Sequence, residues 1–393
     1  MGQNLRTIDW NVTTMGQNLR TIHWTLTTMG HNLRTIGWNV PTTVRNLLDW
    51  SNPFWTIQYL YEYYDSLSLE DRIYYAILGM ELIYYPVLAA VAVSVNLVTI
   101  VILSRGKCGL SKCVTRYLVA MAAADLLVII TDVILRQIPI AYWSQFRFVR
   151  SIPVCNIHAV LLYAATDCSV WFTVTFTFDR FVAICCQKLK ITYCTEKTAA
   201  VVLGTVTVLS CLKDTFWYFM YSSGYMLGNE PWFCAVTPSV MASRIWAVVE
   251  ALHYILTPGV PFVLILLLNA LTVRHILVVS KARRRLRVHS GWESPSDPEM
   301  KSRRKSIILL FVISGNFILL WGFFMVYSIW NRMHYLGFYS VYLHEFIQEL
   351  GFMFQLLSCC TNTCIYAVTQ TKFREQLKNA VKFPFVLIVK FIK

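Results

Sequence analysis

The chain has 393 residues, of which 56% are hydrophobic and only 14% charged. A soluble globular protein usually carries about 25% charged residues, and here the apolar residues are gathered into long runs, which argues for a bilayer rather than one water-soluble core. The formal net charge of +14 would suggest nucleic acid in a soluble protein; in a membrane protein it is read loop by loop, and no nucleic-acid partner is expected.

Residues 1–42 repeat with a period of 14: MGQNLRTIDWNVTT, MGQNLRTIHWTLTT, MGHNLRTIGWNVPT. Solenoid units are longer and need a stackable apolar face. The three Leu, Ile and Trp sites that each unit shares are too few for a core, so these residues read as a flexible tail. A ligand-like or adhesive tail is the alternative. No apolar h-region follows the first methionine, so no cleavable signal peptide is expected. Asn11-Val12-Thr13 is a glycosylation acceptor, whereas Pro41 spoils the similar stretch at Asn39.

Seven apolar segments follow, at 78–103, 117–138, 155–184, 199–221, 246–279, 307–330 and 343–369. Each supplies the roughly 20 residues that a helix needs to cross the hydrocarbon. Backbone groups in lipid must be satisfied within the segment, so these are predicted to be helices. The alternating segments of about ten residues that mark a membrane barrel do not occur. The expected fold is an all-α membrane protein: a seven-transmembrane helix bundle plus a short amphipathic C-terminal helix. The expected division is a tail at 1–72, the bundle at 73–369 and a terminal segment at 370–393.

The loops set the orientation. Net charges are +4 over 105–116, +2 over 181–198, +6 over 280–306 and +5 over 370–393. Positive loops stay on the cytoplasmic side, so the repeat tail is expected outside the plasma membrane and the C-terminus inside. The odd helix number agrees. Residues 371–377 read as an amphipathic helix on the inner leaflet, with the apolar stretch 383–393 dipping into the same interface.

Four groups of residues carry chemistry. Asp125 lies nine residues past Arg116, ~14 Å into the membrane at 1.5 Å per residue. A charge there is costly unless it is paired. Asn96, Ser169, Ser358 and Asn362 are its candidate partners, forming either a site for a small hard cation such as sodium or a structural hydrogen-bond knot. Asp179-Arg180 closes the third segment, 25 residues after Cys155, or ~37 Å of helix. This places Cys155 at the outer mouth and Arg180 at the inner one. The pair is either a neutralised boundary charge or a switch. Cys155 and Cys234 both face the oxidising side, where a disulfide would persist. The remaining cysteines lack zinc spacing, so no metal is expected. In the sixth segment Trp321, Phe324, Tyr327 and Trp330 fall at three-residue steps and present an aromatic face.

Asn96, the stretch ending at Asp125, Cys155, Asp179-Arg180-Phe181, Pro261, Trp321 and Asn362-xxx-Tyr366 stand in the order and spacing of the class A, rhodopsin-like G-protein-coupled receptors. Over 78–382 the chain resembles that family. DCSVWFTVTFTFDRFVAICCQKLK and SCCTNTCIYAVTQTKFREQ are similar to the branch of probable G-protein-coupled receptor 139. The resemblance implies a receptor that passes an extracellular signal to a heterotrimeric G protein. Asp179, Arg180, Asn362 and Tyr366 would form its coupling switch. Relatives in that branch are orphans or respond to aromatic amino acids and related peptides, so the ligand is expected to be an aromatic amino acid, a peptide or another small molecule. The expected pocket lining is His158, Tyr163, Asp167, Trp321, Phe324, Tyr327 and Gln355. Several positions depart from the family pattern. Phe181 replaces a tyrosine, Thr363 and Phe323 each replace a proline, and Asn269 replaces a tyrosine. Arg303 stands where many relatives carry an acid facing Arg180. Leu162 replaces the aspartate of amine receptors, and Phe324 replaces the arginine of the aromatic-amino-acid receptors.

Other classes fit less well. No inverted repeat suggests a transporter. Residues 343–369 contain no lysine for retinal. HExxH and GxSxG are absent, so an enzyme is not expected.

Overall fold

A computed structural model of the protein describes residues 68–141, 152–290 and 298–392, apart from 224–225, 228–229, 232–233, 238–239, 241–242, 339–340 and 342. The repeat tail with Asn11 lies outside the described residues, and so do the side chains of Cys234 and Arg303.

Among the described residues, seven helices are long and apolar enough to cross a membrane: α1 Leu69–Ser104, α2 Lys112–Ile140, α3 Val154–Cys185, α4 Glu196–Phe219, α5 Arg244–Lys281, α6 Ile307–His334 and α7 Phe346–Thr369. An eighth, α8, runs over Thr371–Ile392. Local chemistry sets several boundaries. Ser68 caps α1, its hydroxyl accepting from Asp71 N at 3.2 Å, and Glu70 and Asp71 in the first turn suit the positive end of the helix dipole. α1 therefore starts nine residues before the expected 78, because a polar first turn with a cap needs no hydropathy. Ser111 caps α2 and Thr195 caps α4 in the same way, at 3.3 and 3.2 Å. Gln370, with extended backbone, breaks α7 from α8. The terminal segment is one continuous 22-residue helix rather than a short helix followed by a separate dipping stretch.

Two helices are irregular. Residues Ile129–Gln137 of α2 form a π-helical run, in which Arg136 meets Asp132 at 2.7 Å. α5 is interrupted at Thr257 (φ −147°, ψ 106°), one residue before Pro258.

α3 is the central helix, with 67% of its apolar window buried, against 17% for α4. The large side chains left outside are apolar, as in Ile83, Val201, Leu212, Val263, Leu319 and Phe323. This inverts a soluble protein's surface and matches a lipid-facing one. Phe323, at the position of an expected family proline, is thus a lipid-side residue. Among the described residues the interior has three apolar clusters. One surrounds Tyr117, Phe176, Leu309 and Tyr366. Another surrounds Tyr85, Val133 and Leu356. The third surrounds Val174, Ile265, Trp321 and Phe352.

The described residues after α4, up to Ser243, belong to a separate compact unit. Within it β1 (Tyr221–Ser223) pairs antiparallel with β4 (Cys234–Val236), Ser223 opposite Cys234, and β2 (Met226–Leu227) pairs with β3 (Glu230–Pro231).

Candidate functional site

The polar residues of the bundle interior are arranged along α3. At one end Asp179 and Arg180 form a buried ion pair, with Arg180 Nε donating to Asp179 Oδ2 at 3.0 Å. The Arg180 guanidinium lies 5.9 Å from the centre of the Phe176 ring. Asp179 is held from elsewhere too. Cys113 Sγ of α2 donates to its Oδ1 at 3.2 Å, and Cys194 Sγ donates to its backbone carbonyl at 3.7 Å. Burial, and then the Asp179 carboxylate, push the Cys194 thiol up to about 11. The Cys194 sulfur therefore stays protonated and able to donate at neutral pH. Beside this end, Arg116 of α2 binds Glu196 of α4 at 2.7 Å.

Further along α3, beside Ser169, Asp125 of α2 is buried and satisfied by two donors. Ser169 Oγ donates to Oδ1 at 2.6 Å and Asn362 Nδ2 to Oδ2 at 2.8 Å. The carboxylate thus joins α2, α3 and α7. Two of the expected partners bond elsewhere. Asn96 Nδ2 donates to Ala92 O at 2.9 Å and to Cys359 O at 2.8 Å, because the α7 carbonyl lies within its reach. Its Oδ1 is buried and accepts no hydrogen bond. Ser358 Oγ donates to Gln355 O at 2.6 Å and accepts from Trp321 Nε1 at 3.1 Å, so it couples α7 to α6. Thr363, in place of the family proline, pairs its hydroxyl with Thr99 of α1 at 2.8 Å. Tyr366 is buried, with its ring edge-on to Phe373 of α8 at 5.8 Å.

Three of the seven expected pocket residues, Tyr163, Phe324 and Trp321, lie on one path of ring contacts. Tyr163 stacks on Trp217 (3.9 Å, 10°) and meets His253 edge-on at 5.1 Å. His253 meets Tyr254 at 5.4 Å, Tyr254 meets Phe324 at 6.0 Å, and Phe324 meets Trp321 at 6.1 Å. Tyr327 and Gln355 are buried. His158 Nε2 lies 2.6 Å from Thr131 O of α2, in the neighbourhood of Asp132 and Arg136. Trp330, at the end of the aromatic face, donates through Nε1 to Val341 O at 3.0 Å. Cys155 is disulfide-bonded.

Asp167 is the largest surprise. Its carboxylate is paired with Lys213 Nζ at 2.5 Å, and Asp214 and His253 stand beside it. Sequence reading passed over Lys213, Asp214 and His253, and also Glu250, which binds Arg332 at 2.6 Å. The available signal was the rule that a charge inside an apolar span must find a partner.

These features define a seven-span membrane bundle with a polar interior and an ion pair closing its central helix. The family described as 7 transmembrane receptor (rhodopsin family) matches residues 95–366. The chain belongs to this family; it is a multi-pass membrane receptor and not an enzyme.

Proposed function

We propose that the protein converts an extracellular ligand into activation of a heterotrimeric G protein at the Arg180 end of the bundle. The buried Asp179–Arg180 pair carries this reading, because a charge so placed is costly unless it is used or released. Cys113 holds Asp179, and Asp179 holds Arg180, so the pair defines a closed state. A ligand acts by binding the open state better than the closed one. It enters along the path from Tyr163 to Trp321. From Trp321 the signal passes through Ser358 to α7, where Asn362 grips Asp125 and Tyr366 follows one turn on.

The charge of the loops supports an orientation with the repeat tail outside and the Arg180 end in the cytosol. The Cys155 disulfide is assigned to Cys234, since the ten other cysteines are free. Asp125 with Ser169, and the unpartnered Asn96 Oδ1 as a further oxygen, suits a sodium ion. Rings along the expected path favour an aromatic ligand, such as an aromatic amino acid or a peptide with an aromatic side chain, as in the branch of probable G-protein-coupled receptor 139 that the sequence resembles.

The test is a G-protein dissociation assay in cells, screening aromatic amino acids and peptides on the wild type and on Arg180→Ala at matched surface levels. A response in the wild type that disappears in Arg180→Ala supports the reading. A response equal in both overturns it.

A further inference from the structure

Asp167 of α3, Asp214 of α4 and His253 of α5 converge inside the bundle, and each offers one ligand atom within 4.8 Å of the others. Both carboxylates are fully buried, at 1% and 0% exposure. Neither oxygen of Asp214 accepts a hydrogen bond, and neither does Asp167 Oδ1. Asp214 Oδ1 has Lys213 Nζ at 3.3 Å as an ionic neighbour; buried carboxylate oxygens that accept no hydrogen bond are costly within apolar spans, and such groups are paired or bind metal.

The cluster contains one tethered cation. Lys213 Nζ stands 2.5 Å from Asp167 Oδ2, 3.1 Å from His253 Nδ1 and 3.3 Å from Asp214 Oδ1. An ammonium has only donors, so His253 must present the Nδ1 lone pair and its ring is neutral. The ammonium therefore occupies a point on which two carboxylates and one imidazole lone pair are trained. It offsets one of the two negative charges. The donor set, of charge −2, matches a divalent ion bound by His nitrogen and Asp oxygen.

The imidazole is set in place by its surroundings. Tyr163 and Trp217 stack on each other, and both meet the His253 ring edge-on, at 5.1 and 5.2 Å and 87°. A ring held in this way loses little freedom on binding a metal. Lys213 is the one member with an exit, since its side chain is 27% exposed and its long stem can carry the ammonium outward.

We propose that Asp167, Asp214 and His253 form a binding site for a divalent transition-metal ion of the zinc class, which Lys213 occupies as a tethered competitor until the metal displaces it. The bound ion would tie α3, α4 and α5 together near the break at Thr257. This inference does not depend on the signalling reading, because metal binding is measured without a ligand or a G protein.

The experiment titrates zinc into the full chain in lipid nanodiscs against a fluorescent chelator, comparing wild type, Asp214→Asn and Lys213→Met, with melting temperature as a second readout. The expected result is one site in the wild type, at least tenfold weaker in Asp214→Asn and at least tenfold tighter in Lys213→Met. The Lys213→Met melting temperature should rise with zinc, which keeps the test decisive if that variant is unstable without metal. Equal zinc binding by wild type and Asp214→Asn overturns the proposal. So does Lys213→Met binding no tighter than wild type, or no zinc bound by any of the three.

Discussion

Trp321 Nε1 donates to Ser358 Oγ at 3.1 Å, and this contact ties α6 to α7 in the middle of the bundle. The same hydroxyl donates to Gln355 O at 2.6 Å, so Ser358 is satisfied as donor and acceptor. A net hydrogen bond of this kind is worth about 1 kcal/mol. Trp321→Phe and Ser358→Ala should each lower stability by roughly that amount. In a double-mutant cycle read by thermal unfolding, the two losses should fall short of additivity by about 0.5–1.5 kcal/mol. Strict additivity would remove the link between α6 and α7.

Gly351 allows a close approach of these two helices at Phe324. A Cβ added there would meet Phe324 Cα at 3.0 Å and Phe324 N at 3.1 Å. Both are backbone atoms and cannot turn aside. Gly351→Ala should therefore cost about 1–3 kcal/mol as an overpacked contact. Gly322→Ala, with nothing within 4 Å, should be neutral or slightly stabilising. Melting curves of the two variants in one detergent check this, and equal curves would deny the close approach.

Thr363 stands where the family usually has proline. Proline in a helix interior costs ~3 kcal/mol, partly because it strips the hydrogen bond from the carbonyl four residues back. Here that carbonyl is Cys359 O, which already accepts from Asn96 Nδ2 at 2.8 Å. Thr363→Pro should therefore be tolerated clearly better than Cys364→Pro. Surface expression and melting temperature of the two variants measure the difference. Equal damage would show that Asn96 does not compensate.

Much of this was legible in the sequence, and the reasons are physical. Spans are set by length and hydropathy, so α2 to α7 fall close to the segments read from residue types alone. The start of α1 was not legible, because Ser68, Glu70 and Asp71 end a helix by capping and dipole rather than by apolarity. Asp125, Ser169 and Asn362 were legible as isolated polar residues in apolar helices that need one another. Asn96 was placed in the same knot, but spacing along separate helices does not say which carbonyl is nearer. The Asp167, Lys213, Asp214 and His253 cluster joins three helices and has no linear motif. The charges within apolar spans, Asp167 and the pair Lys213-Asp214, were its visible signs.

Asp125 yields a prediction about salt. A ligand at ten times its Kd stabilises by ~1.4 kcal/mol, or roughly 2–4 °C for a domain of this size. The wild type should melt higher in sodium chloride than in choline chloride at equal ionic strength, by about that margin. Asp125→Asn should melt at the same temperature in both. A wild type indifferent to sodium would leave Asp125 as a purely structural knot.

The central claim is that Arg180 couples this bundle to a G protein, and nucleotide exchange tests it most directly. Purified heterotrimers are added to membranes carrying equal amounts of wild type or Arg180→Ala, and guanine-nucleotide exchange is timed. The account predicts that the wild type accelerates exchange and that Arg180→Ala loses at least tenfold of that acceleration, equivalent to ~1.4 kcal/mol. Acceleration of the same size in both would contradict it.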